Sequence, residues 1–135
     1  MDVGITLKKL IAIEGVTITQ LGERSGIAAS RVSLYARNLQ IPRIKIFIRM
    51  LDALGYELLI MNDEGKLLRC SGFGSVVKYI IYQKNMPISH LASLSDTDDS
   101  QLRRYMRGEV QPTMCVANRV LDSVGYSFKV RKKEK

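Results

Sequence analysis

The sequence predicts a mainly α protein with a small β-sheet, built as two tandem four-helix units that are each followed by a β-strand or hairpin. Three observations carry that expectation. The chain matches itself when displaced by seventy residues, apolar residues recur at helical spacing in four short runs per copy, and after a glycine near the end of each copy the period changes from 3.6 to 2. Without a gap, 7–60 aligns on 77–130 with fourteen identities, among them Lys8/Lys78, Leu21/Leu91, Tyr35/Tyr105, Pro42/Pro112, Arg49/Arg119 and Gly55/Gly125. Chance gives about three or four matches at ordinary residue frequencies. The pattern reads as a tandem duplication, with units at 1–70 and 71–135.

The first helix is expected over about 5–14, with Leu7, Leu10, Ile11 and Ile13 as its apolar stripe and Gly15 as a left-handed cap. Its counterpart is expected from Ser75, as N-cap, to Lys84, ending at Asn85. The second helix opens on Thr17 and Gln20, a capping-box pair; Pro87 replaces Thr17 in the other copy and removes the side-chain acceptor. Gly26 and Asp96 occupy the turn before the third helix. The fourth begins at Pro42 or Pro112 and stops at Gly55 or Gly125, with Ile44, Phe47, Ile48, Leu51 and Leu54 on one face and Met114, Ala117, Leu121 and Val124 on the other copy's.

Tyr56 to Met61, a turn at 62–65 and Lys66 to Cys70 suggest a hairpin. Tyr126, Phe128 and Val130 alternate with polar residues as in a half-buried strand. Hairpin and strand are expected to form one antiparallel sheet that joins the units, or else to pair across a homodimer. Ser71 to Gly74 reads as a short joint, and Arg131 to Lys135 as a frayed basic tail.

The formal net charge is +8. Residues 1–70 hold ten Lys+Arg against seven Asp+Glu, and residues 71–135 eleven against six, so both halves are basic, as expected of a chain that meets a polyanion. No apolar run approaches the roughly 18 residues of a membrane span, which points to a cytoplasmic protein with no membrane partner. Cys70 and Cys115 lack metal-ligand spacing and are expected to be buried thiols. His90 has no Cys or His at ligand distance, the serines have no adjacent base, and Asp96, Asp98 and Asp99 suit turn and cap chemistry. No enzyme and no cofactor is therefore expected.

The stretch GIAASRVSLYARN, from Gly26 to Asn38, and its counterpart DTDDSQLRRYMRG, from Asp96 to Gly108, are the candidate functional segments. Each is a helix entered through a tight turn, with Val32 and Tyr35 or Leu102 and Tyr105 as the buried pair. Leu21-Gly22, Gly26, Ile27, Val32, Tyr35, Pro42, Leu54 and Gly55 together resemble a helix-turn-helix domain of the Cro/C1 repressor type, the class found in phage repressors and in antitoxins that repress their own operons.

The resemblance implies that the third helix of each copy enters the major groove of double-stranded DNA. It assigns DNA contact to Ala29, Ser30, Arg31, Ser33 and Leu34, and in the second copy to Asp99, Ser100, Gln101, Arg103 and Arg104. Arg37 and Arg107, an identical pair at the far end of these helices, complete the set. The second copy departs from the pattern with Asp96 and Thr97 in the turn, and both copies have Ile18 or Ile88 where the family often has a phosphate-binding Gln. Asp98 and Gln101 form a capping-box pattern. The second copy then reads DNA weakly, reads cytosine through Asp99, or acts as a structural mate.

The resulting expectation is a sequence-specific transcriptional regulator, a repressor or autoregulator at a promoter operator, working as a homodimer or an intrachain pseudo-dimer. The alternative is a protein-binding module on the same fold, such as an antitoxin or a phage-encoded inhibitor of a host defence enzyme.

Overall fold

A computed structural model describes residues 1–134. In chain order they form α1 (Val3–Glu14), α2 (Ile18–Ser25), α3 (Ala29–Ala36), α4 (Ile44–Leu54), β1 (Tyr56–Met61), β2 (Leu67–Arg69), α5 (Phe73–Gln83), α6 (Ile88–Leu94), α7 (Asp99–Met106), α8 (Met114–Asp122) and β3 (Ser127–Lys132). The fold is thus mainly α with one small sheet, two four-helix sets, a hairpin after the first and a strand after the second.

Most helix boundaries follow from local chemistry. Thr17 and Gln20 form the reciprocal capping box at α2, and Pro87 precedes α6 with φ −70° and no side-chain cap. Two helices start earlier than expected. Asp2 caps α1 by accepting from the Ile5 N–H at 2.9 Å, so the helix begins at Val3, and its buried stripe of Val3, Leu7 and Leu10 leaves Ile13 on the solvent side. α5 begins at Phe73 and Ser75 lies inside it. Phe73 is fully buried and meets the Tyr105 ring edge-on at 6.2 Å, while a Cβ on Gly74 would stand 2.8 Å from the Met106 carbonyl oxygen. Ser71 to Gly74 is therefore no free joint, since half of it is helix packed on the end of α7.

Two of the contacts between the sets join residues seventy apart. After Pro42 and Pro112 the chains bridge at Arg43 and Thr113: the Ile44 N–H donates to the Pro112 carbonyl and the Met114 N–H to the Pro42 carbonyl, each at 2.9 Å. That exchange starts α4 and α8 two residues after their prolines. In the sheet, of order β2-β1-β3, the pairing of β1 with β3 runs from Tyr56↔Lys132 to Met61↔Ser127 and centres on Leu59↔Lys129. An antiparallel pair whose partners are equivalent positions of two copies marks a local two-fold relation. The strands thus pair within one chain, and one core runs through both sets.

The stripe of α4 is buried at Ile44, Phe47, Leu51 and Leu54, with Met50 added and Ile48 only half-buried; α8 buries Met114, Ala117, Val120 and Leu121, while Val124 is half-buried beyond its end. The basic tail is not frayed over 131–133. Arg131 pairs with Glu57, Lys132 with Glu14 at 3.1 Å and Lys133 with Asp52, and the Lys133 N–H donates to the Gly55 carbonyl. Lys135 lies outside the described residues. Cys70 is buried, which pushes its thiol up to about 12, whereas Cys115 is exposed, one residue off the stripe begun by Met114.

Gly74→Ala tests the close packing of α5 on α7: the added methyl meets backbone that cannot swing aside, so urea unfolding should show a loss of about 1–3 kcal/mol, where an ordinary helix Gly→Ala change is stabilising.

Candidate nucleic-acid interface

The candidate site starts from how α2 is stopped and α3 launched. Gly26 has φ +72° and its N–H donates to the Gly22 carbonyl, so the chain reverses in one residue and buries Ile27 behind it. Gly22 is small because it must be: a Cβ there would stand 2.8 Å from the Ile27 oxygen and 3.2 Å from the Ala29 nitrogen. α3 is thereby laid across α2 with backbones nearly touching. In the second set Asp96 takes the left-handed turn at φ +52°, a conformation short polar side chains tolerate, and Ala92 stands in place of Gly22.

An arginine from the fourth helix locks each turn. Arg49 donates from Nη2 to the Ser25 carbonyl at 2.8 Å, and Arg119 from Nε to the Ser95 carbonyl at 2.8 Å and from Nη2 to the Asp96 carbonyl at 3.2 Å. The cation satisfies carbonyls that a helix C-terminus leaves open and complements its dipole. These two residues hold the turns in place, and the motif reading missed them. Their signal was an identical arginine at the same position of the two aligned segments.

Most of the candidate contact residues fall on outward faces. On α3 the buried positions are Val32, Tyr35 and Ala36; Ser30, Arg31 and Arg37 are exposed, and Ala29, Ser33 and Leu34 are half-buried at the edges. On α7 Leu102 and Tyr105 are buried, Ser100, Arg103, Arg104 and Arg107 exposed, and Asp99 and Gln101 half-buried. Tyr35 and Tyr105 are core residues, each 5% exposed. Ile88 is buried and Ile18 half-buried, so neither is placed to substitute for a phosphate-binding amide.

The two faces differ in charge. Residues 24–51 contain six cations, Arg24, Arg31, Arg37, Arg43, Lys45 and Arg49, and no Asp or Glu; the equivalent residues 94–121 contain four arginines and four acids. Arg31 has no ion-pair partner among the described residues. On α7, Arg103 pairs with Asp99 at 2.6 Å, and Arg104 and Arg107 share Glu109 at 3.7 and 3.1 Å. The hydrogen bond from Arg107 holds the Glu109 carboxyl below its usual range. Counting charge by halves of the chain hides this contrast, because part of the second half's excess sits in β3 and the tail.

The first turns differ as well. Ala28 offers α3 no side-chain cap, so the Ala29 and Ser30 amides have no side-chain acceptor, while the Arg31 N–H donates to the Ala28 carbonyl at 2.9 Å. Asp98 accepts from the Ser100 and Gln101 N–H groups of α7, and the Ser100 hydroxyl and these amides lower its carboxyl. Its capping box is only half made: the Gln101 amide turns to the Tyr105 hydroxyl at 3.3 Å instead of reaching back. Among the described residues no three His, Cys, Asp or Glu side chains gather as a metal site, and no helix is long and apolar enough to cross a membrane.

Residues 7–60 match the family described as Helix-turn-helix. The match begins inside α1, takes in α2 to α4 and enters β1, so α2 and α3 are the two helices of the helix-turn-helix and Gly26 is its turn. No curated protein and no solved structure matches the chain.

Because Arg49 ties the helix-turn-helix turn to α4 through a charged donor, Arg49→Ala should lower stability by about 1.5–3 kcal/mol in urea unfolding; Arg49→Lys, with a single point of donation, should recover only part of it.

Proposed function

We propose that the protein is a sequence-specific DNA-binding transcriptional regulator, a repressor or autoregulator acting at a promoter operator, in which the units at 1–70 and 71–135 work as an intrachain pseudo-dimer. The observation that carries this reading is the acid-free stretch 24–51, whose six cations surround an exposed helix inside the helix-turn-helix match. α3 lies in the major groove. The uncapped Ala29 and Ser30 amides receive a backbone phosphate, Arg31 reaches guanine or phosphate, and the Ala29 side chain meets a thymine methyl. The remaining exposed cations add sequence-independent attraction to the phosphates.

α7 takes the neighbouring turn of the same groove through Gln101, Arg103 and Arg104. Its support is the local two-fold relation at Arg43/Thr113 and Leu59/Lys129, which suits an inverted repeat with half-sites about 34 Å apart. Because Ala29 to Leu34 and Asp99 to Arg104 differ, the repeat is imperfect. A bound chain would repress by occluding the promoter.

A second reading, a protein-binding module of the antitoxin or inhibitor kind, is favoured by one feature. Leu39, Ile41 and Tyr82 are large apolar side chains 50–81% exposed. A stoichiometric partner that survives nuclease treatment in a pull-down would select it.

Fluorescence anisotropy on the duplex upstream of its own coding region decides the first reading. Specific binding should exceed that of a scrambled duplex at moderate salt, and Arg31→Ala should weaken it by about 10- to 100-fold, the worth of one good base contact; equal binding of specific and scrambled duplexes contradicts the reading.

A further inference from the structure

Resting on the DNA-binding reading, we propose that α7 is a self-screened reading head: Asp99 and Glu109 set the affinity of the second half-site by neutralising Arg103, Arg104 and Arg107. Every long polar side chain on its outward face has a partner in the same segment. Arg103 Nε sits 2.6 Å from Asp99, Arg104 Nη1 donates to Gln101 at 3.4 Å while its Nε faces Glu109, Arg107 donates to Glu109, and Gln101 donates to Tyr105. The equivalent positions of the first unit carry no such screen. Asp99 stands where that unit has Ala29, and Glu109 where it has Leu39.

An exposed ion pair is weak, so the pairs by themselves do not withhold the arginines from DNA. The carboxylates do, because a groove contact that frees an arginine also carries its acid toward the phosphates. Net neutrality over 94–121 against six unopposed cations over 24–51 removes the non-specific attraction that would otherwise hold α7 down. α3 therefore anchors the protein, while α7 faces the second half-site and adds little affinity. The operator should have one stringent and one permissive half-site, and Asp99 and Glu109 set that inequality.

The test uses the full chain and duplexes selected from a randomised 30-base-pair pool. Asp99→Ala copies the first unit's residue and leaves the Asp98 cap in place; Glu109→Gln keeps the shape of the side chain. Urea midpoints confirm that each variant folds. Wild type should enrich sequences with one defined half and one degenerate half. Asp99→Ala/Glu109→Gln should bind about tenfold tighter, with a salt slope steeper by about two, as expected for two added phosphate contacts. Arg103→Ala/Arg104→Ala should cost wild type less than about threefold yet cost the acid-free variant about tenfold or more, as contacts released by removal of the screen.

Wild-type affinity and slope in Asp99→Ala/Glu109→Gln, or a loss from Arg103→Ala/Arg104→Ala as large as that from Arg31→Ala, overturns the inference and leaves the DNA-binding reading standing. Failure of wild type to enrich or bind any duplex at low salt overturns both.

Discussion

The ladder between β1 and β3 is the interaction on which the rest of the molecule depends. A helical unit of about 60 residues leaves too much of its apolar surface in water to be secure alone. Here Leu58, Ile60 and Phe128 close the core beneath both helix sets, and the pairing centred on Leu59 and Lys129 makes the closure mutual. The exchanged bonds at Arg43 and Thr113 fix a second point seventy residues apart in sequence. Two points on one local axis leave little freedom between the units. The orientation of α3 relative to α7 is thus set by backbone hydrogen bonds and not by loosely packed side chains.

Within that frame the two helix sets differ in surface charge and are alike where turns are held. The turn carbonyls are tied by Arg49 and Arg119 in the same way, and Ser25 and Ser95 each donate to the carbonyl four residues back. On the outward faces the likeness ends. α3 is uncapped and free of acids, while α7 is capped by Asp98 and ion-paired along its length. A shared scaffold thus carries two unequal faces, and in the proposed reading they would treat two DNA half-sites differently.

Much of this was legible in the sequence because the punctuation is strong. Gly15, Gly26, Gly55 and Gly125 all adopt positive φ, and Asn85 and Asp96 do so in their place. The hairpin and the alternating strand were readable from their period. What periodicity could not show was set by contacts distant in sequence. α5 starts early because Phe73 and Gly74 pack on the end of α7, and α1 starts early because Asp2, which receives a hydrogen bond from Asn38, caps it. The tail is tied down by acids at positions 14, 52 and 57 that no local pattern connects to it. At the candidate site the faces were legible and the screening was not. Glu109 lies outside the helix it neutralises, and its effect depends on a turn that brings it back over Arg104 and Arg107.

If one chain supplies both DNA-reading helices, as proposed, the mass of its complex with DNA must show it. Sedimentation equilibrium on a duplex carrying one selected site, at protein concentrations well above saturation, should show a single 15.2 kDa chain per duplex. Two chains per duplex as the smallest specific complex would contradict the account, since each chain would then be reading through one head only.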